Sequence, residues 1–88
     1  MKTPNVTVYG SADCADTLRV RSFLDEQSVI YEYKDVCDDA SYSDYVADLN
    51  GGKRILPTLR INNETLVNPE ANVLEAAIAE ATVEETEG

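Results

Sequence analysis

The sequence predicts an α/β fold, a four-stranded mixed sheet with helices on both faces in the order β-α-β-α-β-β-α. Three observations carry this. Short β-branched, alternating segments are separated by segments with apolar residues at helical spacing. Glycine, proline and asparagine fall at the joints between them. The first two strands are separated by a helix, which makes them parallel with a right-handed crossover, whereas the last two are separated by Asn62-Asn63 and form a hairpin.

Val6-Thr7-Val8-Tyr9 reads as the first strand, ended by Gly10-Ser11-Ala12-Asp13. The first helix is expected from Asp13 or Cys14 to Gln27, burying Val20, Phe23 and Leu24, with Leu18 a turn earlier. The second strand spans 29–36, and its alternation of Val29, Tyr31 and Tyr33 with Glu32 and Lys34 suits an edge. Cys37-Asp38-Asp39-Ala40 is a loop. Ser41-Tyr42-Ser43-Asp44 has the form of a capping box, and the helix it opens carries Tyr42, Tyr45, Val46 and Leu49 on one face. Asn50-Gly51-Gly52 stops that helix. A strand over 55–61 is interrupted at Pro57, and 64–67 returns beside it. Asn68 suits an N-cap and Pro69 the first helical position. The last helix is expected to bury Val73, Leu74, Ala77, Ile78 and Ala81. The four tyrosines at 31, 33, 42 and 45 are read as packing residues.

Composition narrows the function. The chain has 88 residues, 43% of them apolar, enough for one small domain and no deep enclosed cavity. We expect that domain over residues 1–82 and an acidic, frayed tail over 83–88. There are 17 acidic against 7 basic residues, a net charge of −10. Such a field repels nucleic acid and anionic membrane, so neither is an expected partner; a high-salt source would give the same balance. No apolar run approaches the roughly 18–20 residues of a membrane span, and the start lacks the order of a signal peptide. A soluble, cytoplasmic monomer is expected. Two cysteines and no histidine cannot make a four-ligand zinc site, and they exclude Ser-His-Asp and Cys-His machinery. No metal or bound cofactor is expected. Covalent chemistry is left to the two thiols.

Two segments give the order of elements a more specific meaning. The turn from Val8 through Gly10-Ser11-Ala12-Asp13-Cys14-Ala15-Asp16-Thr17, followed by Arg21-Ser22-Phe23-Leu24-Asp25-Glu26, resembles the active-site turn and helix of glutaredoxins, members of the thioredoxin superfamily. Asn50-Gly51-Gly52-Lys53-Arg54-Ile55-Leu56-Pro57-Thr58 resembles that family's cis-proline segment, and with Leu66-Val67-Asn68-Pro69 it looks most like the actinobacterial mycoredoxins. The resemblance covers residues 5 to 80 and implies a thioredoxin fold. It also implies that Cys14 is the attacking thiol and that the bond before Pro57 is cis. Leu56 and Pro57 then orient the ligand backbone, and Arg54, helped by Lys53, meets the carboxylate of a thiol co-substrate, glutathione or mycothiol. Asn68, at a helix start, can bind an anion there. The implied activity is reduction of mixed disulfides, with a disulfide-bearing protein as partner.

The departures from the family are specific. Thr17 stands where the usual Cys-x-x-Cys pair has its second cysteine, giving the monothiol form Cys14-Ala15-Asp16-Thr17. The sequence is not that of the cluster-carrying monothiol members, and their upstream lysine is absent, which argues against a bridging iron–sulfur dimer. Asn68-Pro69-Glu70-Ala71 replaces the Gly-Gly-x-Asp segment many members use for glutathione.

At Cys14, unpaired N–H groups and the helix dipole favour the thiolate, and Thr17 can donate a hydrogen bond to it. Asp13 and Asp16 oppose it, and Asp13 as N-cap would take the donors for itself. Cys14 is therefore either an attacking thiol or a small helix-start residue. Cys37 is either a loop cysteine or the resolving thiol that Thr17 cannot be. The alternative function is a redox-inactive binding module that docks a partner through the cis-proline groove.

Overall fold

A computed structural model describes the backbone over residues 4–87 and the side chains over 4–81. The elements are β1 (Val6–Gly10), α1 (Ala15–Glu26), β2 (Glu32–Asp35), α2 (Ala40–Leu49), β3 (Thr58–Ile61), β4 (Glu64–Val67) and α3 (Ala71–Glu87). Their order is the expected one. The frayed tail expected over 83–88 falls on side chains, and at Gly88 on backbone, outside the described residues.

The sheet runs β2-β1-β3-β4, so β2 is an edge, as its alternation predicts. It pairs with β1 in parallel; β3 is antiparallel to both β1 and β4. Side chains alternate across the sheet and divide the core in two. On one face Val6, Val8, Leu59 and Ile61 pack with Val20 and Leu24 of α1 and with Leu74 and Ala81 of α3. On the other face Tyr9 packs with Val36 and with Val46 of α2, and Tyr42 and Leu56 close over them. Helices thus cover both faces. Among the described residues no helix is long and apolar enough to cross a membrane.

Several expectations are corrected. In α1 the buried stripe is Thr17, Val20 and Leu24, while Leu18 is half exposed. Residues 17, 20 and 24 share a face at helical spacing, and Leu18 lies about 100° round from it. The second strand begins at Glu32, not Val29, because 28 and 29 are used to end α1. Ser28 takes a positive φ of 59°, its N–H donates to the Asp25 carbonyl, and the Val29 N–H donates to the Leu24 carbonyl. This is a Schellman close with serine in the glycine position, and it leaves Ile30 exposed.

In α2 the cap is Asp39, whose carboxylate accepts from the Ser41 N–H and hydroxyl; the helix therefore starts before the expected Ser41 box. Only Val46 of its expected stripe is fully buried. Gly51 and Gly52, at φ 66° and 95°, end α2 as the sequence suggests. In the hairpin turn Asn62 alone of the pair takes a positive φ.

In α3 the helix begins at Ala71, so Pro69 is not its first residue, and Val73 is exposed. Leu74 and Ala81 are buried, with Ala77 and Ile78 packed beside them.

Leu74 is fully buried between the sheet and α3, whereas Val73 faces out. Leu74→Ala should cost about 2–5 kcal/mol of unfolding free energy. Val73→Ala should stay within about 0.5 kcal/mol. Urea unfolding midpoints of the two variants check this; equal losses would contradict the core described above.

Candidate functional site

Strand register brings four loops to one end of the sheet. Gly10, the last residue of β1, lies opposite Asp35 of β2, so the loops carrying Cys14 and Cys37 leave side by side. On the other flank Tyr9 pairs with Thr58, and Thr58 with Val67. Pro57 and Asn68 therefore follow at the same end. The Leu56–Pro57 bond is cis, and the Pro57 carbonyl accepts the Asn68 N–H at 2.8 Å.

Cys14 is the N-cap of α1, with extended φ and ψ of −95° and 119°. Asp13 is not the cap; it is exposed, and its N–H rests on the Ser11 hydroxyl at 3.3 Å. The Cys14 carbonyl opens the helix by accepting the Leu18 N–H. Its sulfur makes no side-chain capping bond of the kind an oxygen makes, yet the thiol pKa is pushed down. The largest cause is the Thr17 hydroxyl acting as a hydrogen-bond donor, followed by the Thr17 N–H. Partial burial opposes, the Asp16 N–H lowers the pKa further, and the Asp16 carboxylate raises it least. Of the two carboxylates expected to oppose this thiolate, Asp16 does so, more weakly than the hydrogen bonds favour it.

Thr17 is held for this task. Its side chain is fully buried, and its hydroxyl accepts the Ser11 N–H at 3.3 Å. A Cβ on Gly10 would meet Thr17 Cγ2 at 2.5 Å and Oγ1 at 2.6 Å. Glycine at the end of β1 is therefore what admits the threonine, for reasons of space.

Cys37 is exposed, and both cysteines are free thiols. What lies between their loops is Asp35, a residue the sequence reading did not single out. Its Oδ1 accepts the Cys37 N–H at 2.8 Å. Its Oδ2 accepts the Ala12 N–H at 3.1 Å and the Tyr33 hydroxyl at 2.9 Å. These donors hold its pKa down, the Cys37 N–H most strongly. Tyr33 is pushed up to about 12 by burial and by its bond to this carboxylate. An Asp two residues before a loop position is the usual Asx-turn signal, and it was there to be read.

The remaining predicted residues divide. Leu56 is half-buried and Pro57 fully buried beside the Cys14 turn. Lys53 and Arg54 are exposed, and neither makes an ion pair with the described residues. Asn68 is at the site but does not cap α3. It takes a positive φ of 41°, and its side chain turns to α1, accepting from Arg19 at 2.8 Å and donating to Asp16 at 3.3 Å.

Two substitutions test the buried threonine. Gly10→Ala should displace Thr17, costing about 1–3 kcal/mol of stability and raising the Cys14 pKa. Thr17→Val keeps the shape and removes the hydroxyl, so it should also raise that pKa. In both cases the thiolate fraction at pH 7 falls, and with it the rate of alkylation by iodoacetamide. An unchanged pH profile for Thr17→Val would show that the hydroxyl does not act on the sulfur.

A family model described as Glutaredoxin matches residues 6–66. Two curated Mycobacterium tuberculosis proteins, each named "Putative glutaredoxin", are 29% identical over 79 residues, covering 89% of this chain and 94% of theirs. Among solved structures, the thioredoxin-like protein BC3987 superposes with a TM-score of 0.73 at 26% identity, over 83% of this chain and 99% of that one. A glutaredoxin from Archaeoglobus fulgidus superposes with a TM-score of 0.72 at 16% identity, over 85% of this chain and 86% of that one, a likeness of fold. The fold is the thioredoxin fold, and the chain belongs to the glutaredoxin family.

Proposed function

We propose that this chain is a single-thiol oxidoreductase that reduces mixed disulfides between a protein and a small thiol. The observation that supports it most is Cys14 at the exposed start of α1, its thiolate favoured by the Thr17 hydroxyl and by first-turn N–H groups. The thiolate is the attacking species. It attacks the small-thiol sulfur of the mixed disulfide; the S–S bond breaks, and the protein leaves as a thiolate that takes up a proton. Cys14 now carries the small thiol as a disulfide. A second small thiol, as thiolate, attacks that sulfur, releases the symmetric disulfide and restores the Cys14 thiolate. Over the whole cycle one small thiol is consumed, the mixed disulfide becomes a free protein thiol, and the symmetric small-thiol disulfide carries away the oxidised pair of sulfurs, so Thr17 need not be a cysteine.

In this reading Leu56 and Pro57 line up the backbone of the bound thiol, and Arg54 meets its carboxylate. The co-substrate is a low-molecular-weight thiol such as glutathione or mycothiol, and the chain acts in the cytoplasm as a monomer without a bound cofactor. Cys37 is held by Asp35 through its N–H, and its loop would have to move for a disulfide, whose Cα atoms lie within about 4.4–6.8 Å. It therefore stands outside the cycle as an optional resolving thiol.

Turnover of a peptide in mixed disulfide with glutathione or mycothiol, and the pH dependence of Cys14 alkylation in a Cys37→Ser background, test the reading together. Cys37→Ser should retain turnover and Cys14→Ser should abolish it. The alkylation midpoint should lie below the ordinary thiol value of about 8.5. A midpoint at that value, with no turnover, would favour the redox-inactive module that docks a partner through the groove. Arg54→Ala should raise KM about two- to fivefold with little change in kcat, the factor expected for one exposed charge contact. A fall in kcat at unchanged KM would remove Arg54 from the binding role.

A further inference from the structure

Asp16 presents a problem that its neighbours answer. It is the third residue of the Cys14-Ala15-Asp16-Thr17 turn, and its negative charge disfavours a thiolate two residues away. Both of its oxygens are nonetheless occupied. Oδ1 lies 3.7 Å from Arg19 Nε, one helical turn on, and Oδ2 accepts from Asn68 Nδ2 at 3.3 Å. The same guanidinium donates through Nη2 to Asn68 Oδ1 at 2.8 Å and through Nη1 to the Pro69 carbonyl at 3.1 Å. The three side chains close a ring between α1 and the β4–α3 turn. That turn is in turn fixed to the proline segment by the Asn68 N–H on the Pro57 carbonyl. The ring lines an open cleft of ≈ 470 Å³ with Glu70 and Ala71.

We propose that Arg19 is a positioning residue for the Cys14 thiol, which offsets the Asp16 charge and, with Asn68, fixes that carboxylate to the β4–α3 turn. The inference rests on the reading of Cys14 as the nucleophile. A lone exposed pair at the observed side-chain exposures of 42% and 53% is worth little. Here the arginine is additionally tied by two hydrogen bonds to a second element, so its side chain is already ordered. A carboxylate paired with a cation acts on a third charge as a dipole, which falls off faster than a single charge. The other ionisable groups on the loops at this end of the sheet are Asp13, Asp35 with Tyr33, Cys37, Asp38, Asp39, Lys53, Arg54 and Glu70, and among the described residues none of their side chains bonds to the ring.

The test is a double-mutant cycle on the full chain in the Cys37→Ser background, reading the pH profile of Cys14 alkylation at low ionic strength. Arg19→Gln should move the midpoint up and slow alkylation at pH 6–7 about two- to threefold, the size expected for one uncompensated charge about 7 Å away in water. Asp16→Asn should move it down. In the Asp16→Asn background, Arg19→Gln should have a smaller further effect, that of the arginine's own charge, and added salt should shrink both shifts. Arg19→Lys, which keeps the charge and loses the fork, should fall between wild type and Arg19→Gln; it also serves if Arg19→Gln does not fold. An unchanged profile for Arg19→Gln (or for Arg19→Lys in its place), or a shift of the same size with and without Asp16, would overturn the inference. A wild-type midpoint at the free-thiol value would instead overturn the proposed function, so the two failures are distinguishable.

Discussion

The site depends on one close approach, that of the Thr17 side chain to Gly10. The end of β1 and the first turn of α1 touch there with no room for a Cβ. Four residues, 11–14, then suffice to turn the chain from strand to helix, and the Ser11 N–H reaches back to the Thr17 hydroxyl. Cys14 is placed by this contact together with its own backbone, whose N–H donates to the Ser11 carbonyl and whose carbonyl accepts the Leu18 N–H, while its sulfur closes no cap. The buried stripe Thr17, Val20 and Leu24 carries the same constraint along α1 into the core under the sheet. A polar residue at the top of that stripe costs little, because its hydroxyl accepts the Ser11 N–H.

A chain of net charge −10 is an unpromising place for a thiolate, and the structure shows how the difficulty is met locally. Long-range repulsion between exposed charges is weakened by salt within about 10 Å, so the nearest carboxylates decide the outcome. Three carboxylates on the loops and turns at this end of the sheet have donors of their own. Asp35 takes N–H groups from both thiol-bearing loops and the Tyr33 hydroxyl. Asp39 caps α2. Asp16 lies between Arg19 and Asn68. These carboxylates organise turns, and their charge is spent on fixed partners near the sulfur.

The order of elements, the parallel and hairpin pairings and the edge strand were legible, because period, turn residues and connection length are local signals; the cis bond before Pro57 was legible only through the family resemblance. Cys14 at a helix start was a local reading as well. What was not legible was decided by tertiary packing. Leu18 is more hydrophobic than Thr17, but only position 17 lies on the stripe that meets Gly10. Serine rarely takes the left-handed position that closes a Schellman motif, so Ser28 hid the end of α1 and lent Val29 to the strand. Asn68 looked like a cap because asparagine before proline usually is one. Its positive φ instead aims the side chain at α1, where Asp16 and Arg19 wait. That network spans about fifty positions of sequence, and no spacing rule finds it. Asp35 did have a local sign, the Asx turn to Cys37, but its second role on Ala12 exists only because β1 and β2 pair in this register.

In the single-thiol cycle proposed above, Thr17 stands where a second cysteine would be. A second cysteine at that position would carry one γ substituent where threonine carries two against Gly10. It would also replace a strong hydrogen-bond partner of Cys14 and Ser11 by a weak one. Threonine keeps the turn compact and the thiolate favoured, and the cycle then draws its second thiol from solution. The same geometry explains why Cys37 does not simply take over. It belongs to a loop whose backbone is held by Asp35, and Asp35 also holds Ala12 in the turn that positions Cys14. One carboxylate thus ties together the two loops that carry the thiols.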